Sequence, residues 1–224
     1  MVLVSLAHPN EDRMANRIDP LRLLWAASLC CLIAASARAV PAKTDDPPPP
    51  AAAAKMNEPG AEAQLLARDA GTWDVTATLQ ATPDGKPQVT KGLVAERVLV
   101  GNYLQETLKP APDAGGPEFT RIEYLTYSRV EGRWQYVSMD TRFPVGIMPA
   151  TSFDKGDPDK LTLEFAPLGF VGLGDKVDGK LVRSDFVITR DGRDHQLKQQ
   201  HWVQADGSGK KWLAVQYEYR RRRP

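Results

Sequence analysis

Three groups of residues in this chain have types and spacings that can do chemistry. The first is a set of carboxylates, Glu106, Glu123 and Asp140, on segments that read as β-strands, with Arg97 on another such segment. Two inward carboxylates in one closed site can divide acid–base work between them. An inward carboxylate beside an inward arginine can instead form a satisfied buried pair, and the same arginine can orient the carboxylate of a ligand. Asp140 with Arg97 would be the working pair of a hydrolase or isomerase. The second group is His195 and His201 in DHQLKQQHW. Six residues apart on a strand, they share a face but lie about 20 Å from each other, too far for one metal ion. Either alone could be an axial haem ligand; the alternative is a polar strand face. The third is GDKVDGKL, residues 174–181. It matches a phosphate-binding loop as far as Lys180 and fails at Leu181, where a metal-binding Ser or Thr is required. A strand pattern follows it, so no helix N-terminus faces a phosphate, and the stretch reads as a hairpin turn.

Other chemistry is excluded by absence. There is no Gly-x-Ser-x-Gly elbow, and three histidines leave few general bases. The two cysteines, Cys30 and Cys31, lie in an apolar run, Leu23 to Ala35, preceded by Arg13, Arg17 and Arg22 and followed by Ala37-Arg38-Ala39. This is the layout of a signal peptide over residues 1–39, with Met14 an alternative start and a cut expected after Ala39. The mature chain would carry no thiol, disulfide or Cys-based metal site, and would work in the periplasm or outside the cell. No cofactor is expected. With 29 basic and 28 acidic side chains the chain has no field to gather nucleic acid.

These residues need elements to hold them. Residues 40–55, rich in Pro and Ala, read as a spacer, and residues 56–224 as one folded domain. A short helix opens it, with Ala61, Leu65 and Leu66 on one face between Pro59 and Gly71. From Trp73 onward the period is two: Trp73, Val75, Ala77 and Leu79 alternate with Asp74, Thr76, Thr78 and Gln80. Turn signals such as Gly101-Asn102, Glu131-Gly132 and Asp191-Gly192 recur to the end, which gives about ten strands. Short connections make sequence neighbours antiparallel neighbours, and closing the sheet removes its two edges. The expected fold is all-β, an antiparallel up-and-down barrel, with a sandwich as the alternative.

The helix leading to Gly71-Thr72-Trp73-Asp74-Val75, then RVLVGNYLQETLK (97–109) and IEYLTYSRVEGRWQYVSMDT (122–141), resemble the bacterial domain of unknown function 1579. Thr126 and Ser128 replace a Gly and an Asp common there, while Asp140 matches a strand-ending Asp. The resemblance implies a lipocalin-like barrel and carries over no catalytic residue.

Within such a barrel the aromatics are the stronger signal. Trp73, Trp134 and Tyr136 share strand parity with apolar or small neighbours, and Tyr124 stands between Ile122 and Thr126. With Arg97, Ser138 and Asp140 they are the expected lining of a pocket for a small apolar or amphipathic molecule. The alternatives are an interaction module with a filled core, or the Asp140–Arg97 enzyme. The loop FAPLGFVGLGD, residues 165–175, reads as an apolar rim segment able to gate the pocket or touch a membrane. No membrane span remains after the leader. The basic cluster Arg220–Arg223 reads as a solvated chain end or a weak contact for anionic lipid.

Overall fold

The structure, a computed structural model, describes residues 51–143, 145–170, 180–205 and 207–223. The expected leader, most of the expected spacer and residues 171–179 lie outside the described residues. Two helices, α1 (Ala51–Asn57) and α2 (Ala61–Asp69), precede ten strands: β1 (Gly71–Leu79), β2 (Gln88–Val100), β3 (Tyr103–Pro110), β4 (Arg121–Ser128), β5 (Arg133–Asp140), β6 (Met148–Thr151), β7 (Lys160–Phe170), β8 (Lys180–Asp191), β9 (His195–Gln204) and β10 (Lys211–Arg221). Residues 51–55 of the expected spacer are helical. All strand pairs are antiparallel neighbours in sequence except one, β1 with β10, which closes the ring.

The alternation read in the sequence sets the two faces. Trp73, Val75 and Ala77 are buried, and Trp134, Tyr136, Ser138 and Asp140 are buried on β5. At the hairpin between β2 and β3, Gly101 adopts φ +59°. It is the first of two loop residues, the position where a tight hairpin needs a residue without a Cβ. Gly92, at φ +72°, sits where the β1–β2 register shifts between Val75 and Ala77. Such a bulge bends a long strand around the barrel wall.

α2 covers the end of the barrel at which β1 begins. Leu65 and Leu66 enter a cluster with Leu104, Leu125, Trp134 and Phe186. Each buried leucine contributes about 1.5–3 kcal/mol. Ala61 stays exposed, and the fourth buried position of the helix is Asp69 instead. Asp69 accepts from Arg190 Nε at 2.9 Å, and its carbonyl accepts from Trp73 Nε1 at 3.0 Å. Arg221 donates to the carbonyls of Arg68 and of Ala70, satisfying the last turn of α2, and stacks 4.2 Å from the Trp73 ring. The basic cluster is therefore engaged: Arg220 pairs with Glu218, Arg222 with Asp74, and Arg223 lies 3.8 Å from Asp194.

Among the described residues no helix is long and apolar enough to cross a membrane.

Candidate functional site

Strand register brings charge into the barrel. Arg97 on β2 faces Glu106 on β3, Glu106 faces Glu123 on β4, and Glu123 faces Ser138 on β5, one inward row across four strands. Arg97 donates from Nε to Glu106 at 2.6 Å. From the opposite wall, Lys198 on β9 donates to Glu106 at 2.8 Å and to Glu123 at 2.5 Å. Arg121 forms an ion pair with Glu123 and donates to the Tyr136 hydroxyl at 3.2 Å. The hydroxyls of Tyr136 and Tyr219 donate to Glu123 and Glu106 at 2.5 and 2.8 Å. All of these side chains are buried. Aromatic faces complete the network. The Arg97 guanidinium lies 4.3 Å from the Tyr219 ring and 4.8 Å from that of Trp73, and Arg121 lies 4.2 Å from the Tyr217 ring.

This environment shifts protonation. Burial pulls Lys198 down to about 7, with Arg97 and Arg121 acting in the same direction and Glu106 against them. Burial pushes Glu106 up, but Lys198, Arg97 and Arg121 together outweigh it and hold the carboxyl below the usual range. Burial also raises Tyr136, so its hydroxyl keeps its proton beyond the ordinary tyrosine range.

Beside the network, toward the end of the barrel opposite α2, is a cavity of about 120 Å³. Arg121, Tyr136 and Ser138 lie on its floor, and Phe165, Leu168, Phe186, Trp202 and Val215 line its walls. Arg142 and Asp140 line it where β5 ends; Arg142 donates to the Asp140 carboxylate at 2.6 and 3.0 Å and to the Tyr217 hydroxyl at 3.3 Å. The arrangement offers apolar surface, hydroxyls and guanidinium groups to one cavity, and so could match an apolar body and a polar end together.

The structure gathers only part of the expected set. Tyr136, Ser138 and Asp140 line the cavity. Trp73 is buried outside the cavity lining, and Arg97 lies in the charged row, where it pairs with Glu106. Trp134 packs under α2 and donates to the Lys155 carbonyl at 2.8 Å. Tyr124 is a correction: it pairs with Val137 on the outer face, because β4 turns Arg121, Glu123 and Leu125 inward. Its apolar neighbours pointed the wrong way, since charged residues occupy part of this core. Asp140 and Arg97 are not partners; Asp140 is held by Arg142. His195 and His201 face outward, alternating with inward Gln196, Lys198 and Trp202, and the His195 nitrogens lie 3.3 and 3.2 Å from Asp191 and Glu218. No group of three potential metal-ligating side chains occurs among the described residues. Residues 174–179 of the loop-like lysine motif lie outside them; Lys180 begins β8. Of the rim segment 165–175, residues 165–170 belong to β7, and Leu168 lines the cavity.

Sequence reasoning missed Lys198, Arg121 and Arg142. Lys198 was detectable by parity: it lies four residues before Trp202 on β9, and both are buried.

No curated protein matches the chain. Among solved structures it is similar to Rv2717c from M. tuberculosis, a crystal structure, at 17% identity and a TM-score of 0.48, over 74% of this chain and 100% of that one. The family model described as "Protein of unknown function (DUF1579)" matches residues 58–221, the whole barrel with its covering helix, and the chain belongs to that family.

Proposed function

We propose that this protein binds a small amphipathic molecule in the cavity opposite α2, and does so after export to the periplasm or beyond. One observation carries the binding reading: the barrel interior is packed with side chains at the α2 end but leaves a cavity of about 120 Å³ at the other, with apolar walls and a polar floor. An engineered cavity of about 150 Å³ is known to admit a molecule the size of benzene, so the occupant has roughly that bulk, or extends out of the mouth. The export reading is supported by the Arg-flanked apolar run and Ala37-Arg38-Ala39.

The test is a titration with benzamide followed by two-dimensional amide NMR. Saturable shifts should map to β5, β7 and β10 and vanish in Leu168→Trp, which fills the mouth with an indole. Shifts scattered over the outer surface, unaffected by that substitution, would defeat the reading. The interaction-module alternative is favoured by exposed Val98, Val100 and Tyr103 on the β2–β3 hairpin and by fully exposed Phe153. It predicts self-association or partner capture that is lost on Phe153→Ser and indifferent to the cavity.

A further inference from the structure

The charges inside the barrel do not cancel. Arg97, Arg121 and Lys198 meet only two carboxylates, Glu106 and Glu123. The other inward ion pairs balance, Asp140 with Arg142 and Asp69 with Arg190. Among the described residues the interior therefore holds one surplus positive charge when every group is ionised. An uncompensated buried charge is costly, and the low-dielectric interior transmits its field farther than water would. Of the three cations Arg121 reaches the cavity, while Arg97 and Lys198 line a small void deeper in the barrel. Arg121 is on the cavity floor, 5% exposed, and its Nη1 has no hydrogen-bond partner. Lys198 stands one layer deeper and is joined to Arg121 through Glu123.

We propose that the cavity takes a small monoanion with an apolar body, its charged end over Arg121, Ser138 and Tyr136 and its body against Phe165, Phe186 and Trp202. This rests on the reading of the cavity as a binding site and adds the charge of what binds. The anion supplies the counter-charge that the protein lacks. A neutral molecule of the same shape leaves the surplus in place, and a cation increases it. Asp140 does not draw a cation to this end, because Arg142 holds both of its oxygens.

The same arrangement makes binding depend on pH. Lys198 faces Glu106 from β3, Glu123 and Arg121 from β4, Arg97 from β2, Tyr136 from β5 and Tyr219 from β10; Asp69 of α2 and Arg190 of β8 line the same small void. Burial places its ammonium near pH 7. An anion nearby favours the charged form, so binding takes up a proton, and anion affinity falls as pH rises through and above 7.

Benzoate, benzamide and benzamidinium form a charge series of nearly constant shape. With the full chain at pH 6, benzoate should bind about tenfold more tightly than benzamide, and benzamidinium most weakly. At pH 9 the benzoate advantage should shrink to about threefold or less while benzamide is unchanged. Lys198→Met removes the surplus without altering the cavity wall. It should abolish the benzoate advantage and keep benzamide binding, which also reports that the variant is folded. Gln200→Glu, on the wall, cancels the same surplus and should likewise bring benzoate down to the level of benzamide. Equal binding of benzoate and benzamide to the unmodified chain would overturn the anion inference and leave the cavity reading standing. Retention of the benzoate advantage in Lys198→Met would overturn it too. Binding of none of the three would remove both readings.

Discussion

At the end where β1 begins, α2 lies over the barrel, Leu66 is fully buried, and Asp69, Arg190 and Gln196 tie helix to strands with buried polar contacts. At the other end no helix lies over the opening among the described residues; the inward side chains stop short of one another, and a cavity remains. The boundary between the halves is the charged row from Arg97 to Lys198. The covered half buries Leu66, Leu104, Leu125 and Trp134 in one cluster, the setting in which a lost methyl is felt. The open half has aromatic walls that pack on one another across strands, Tyr136 with Phe165 and Phe186, and Trp202 with Trp212. Helix cover and open cavity volume are thus at opposite ends of the barrel axis.

The sharpest way to break this contrast is at the boundary. Glu106→Leu would leave Arg97 and Lys198 buried with one carboxylate removed, and should cost about 3–5 kcal/mol in urea unfolding. A loss below about 1 kcal/mol would mean that the row is hydrated and does not separate two halves. A paired truncation measures the halves against each other. Leu66→Ala, under α2, should cost about 2–4 kcal/mol, while Leu168→Ala, half-buried at the cavity, should cost about 1 kcal/mol or less. Equal costs would show that the open half is packed as tightly as the covered one.

The most gradual effect is a slope with pH. The folded-state affinity of Lys198 for its proton is depressed to about 7 from an ordinary value of 10.5. Between those values the unfolded chain binds more protons than the folded one, so stability rises with pH over that window, by at most about 1.4 kcal/mol per pH unit from this group. Glu106 acts on the acid side: its stabilising charge is present above the usual glutamate range and is lost as pH falls below it. Urea midpoints at pH 6, 7.5 and 9 should therefore climb in the unmodified chain and stay flat over the upper two in Lys198→Met.

Sequence pattern revealed the barrel more fully than the site, for a physical reason. Strand period and turn chemistry are local, so β1, β2, β5 and their hairpins are written in consecutive residues, as Trp73 to Leu79 and Gly101-Asn102 illustrate. The inside of a barrel is normally recognised by its apolar residues, and here that rule fails on β4 and β9. Arg121 and Glu123 point inward because they pair with each other and with Lys198 and Tyr136 on other strands, so Tyr124 lies outside. Lys198 sits among glutamines and has no local signal of burial except its parity with Trp202. That Arg97 would meet an inward carboxylate was legible; that the partner is Glu106, across the β2–β3 hairpin, was not. The reach of Lys198 across the barrel was not, because it depends on closure between distant strands.

That closure has a kinetic side. Nine of the ten strand pairings join neighbours and can form as soon as each hairpin exists. The seam between β1 and β10, from Trp73 opposite Arg221 to Leu79 opposite Val215, must wait until the whole meander is present. Joining segments so far apart in sequence slows folding relative to helical proteins. Until the seam forms, two strands of the meander have bare backbone edges, each able to pair with the edge of another chain. Arg221 and Arg222, reaching from β10 to the α2 carbonyls and to Asp74, lie where they would latch that seam shut.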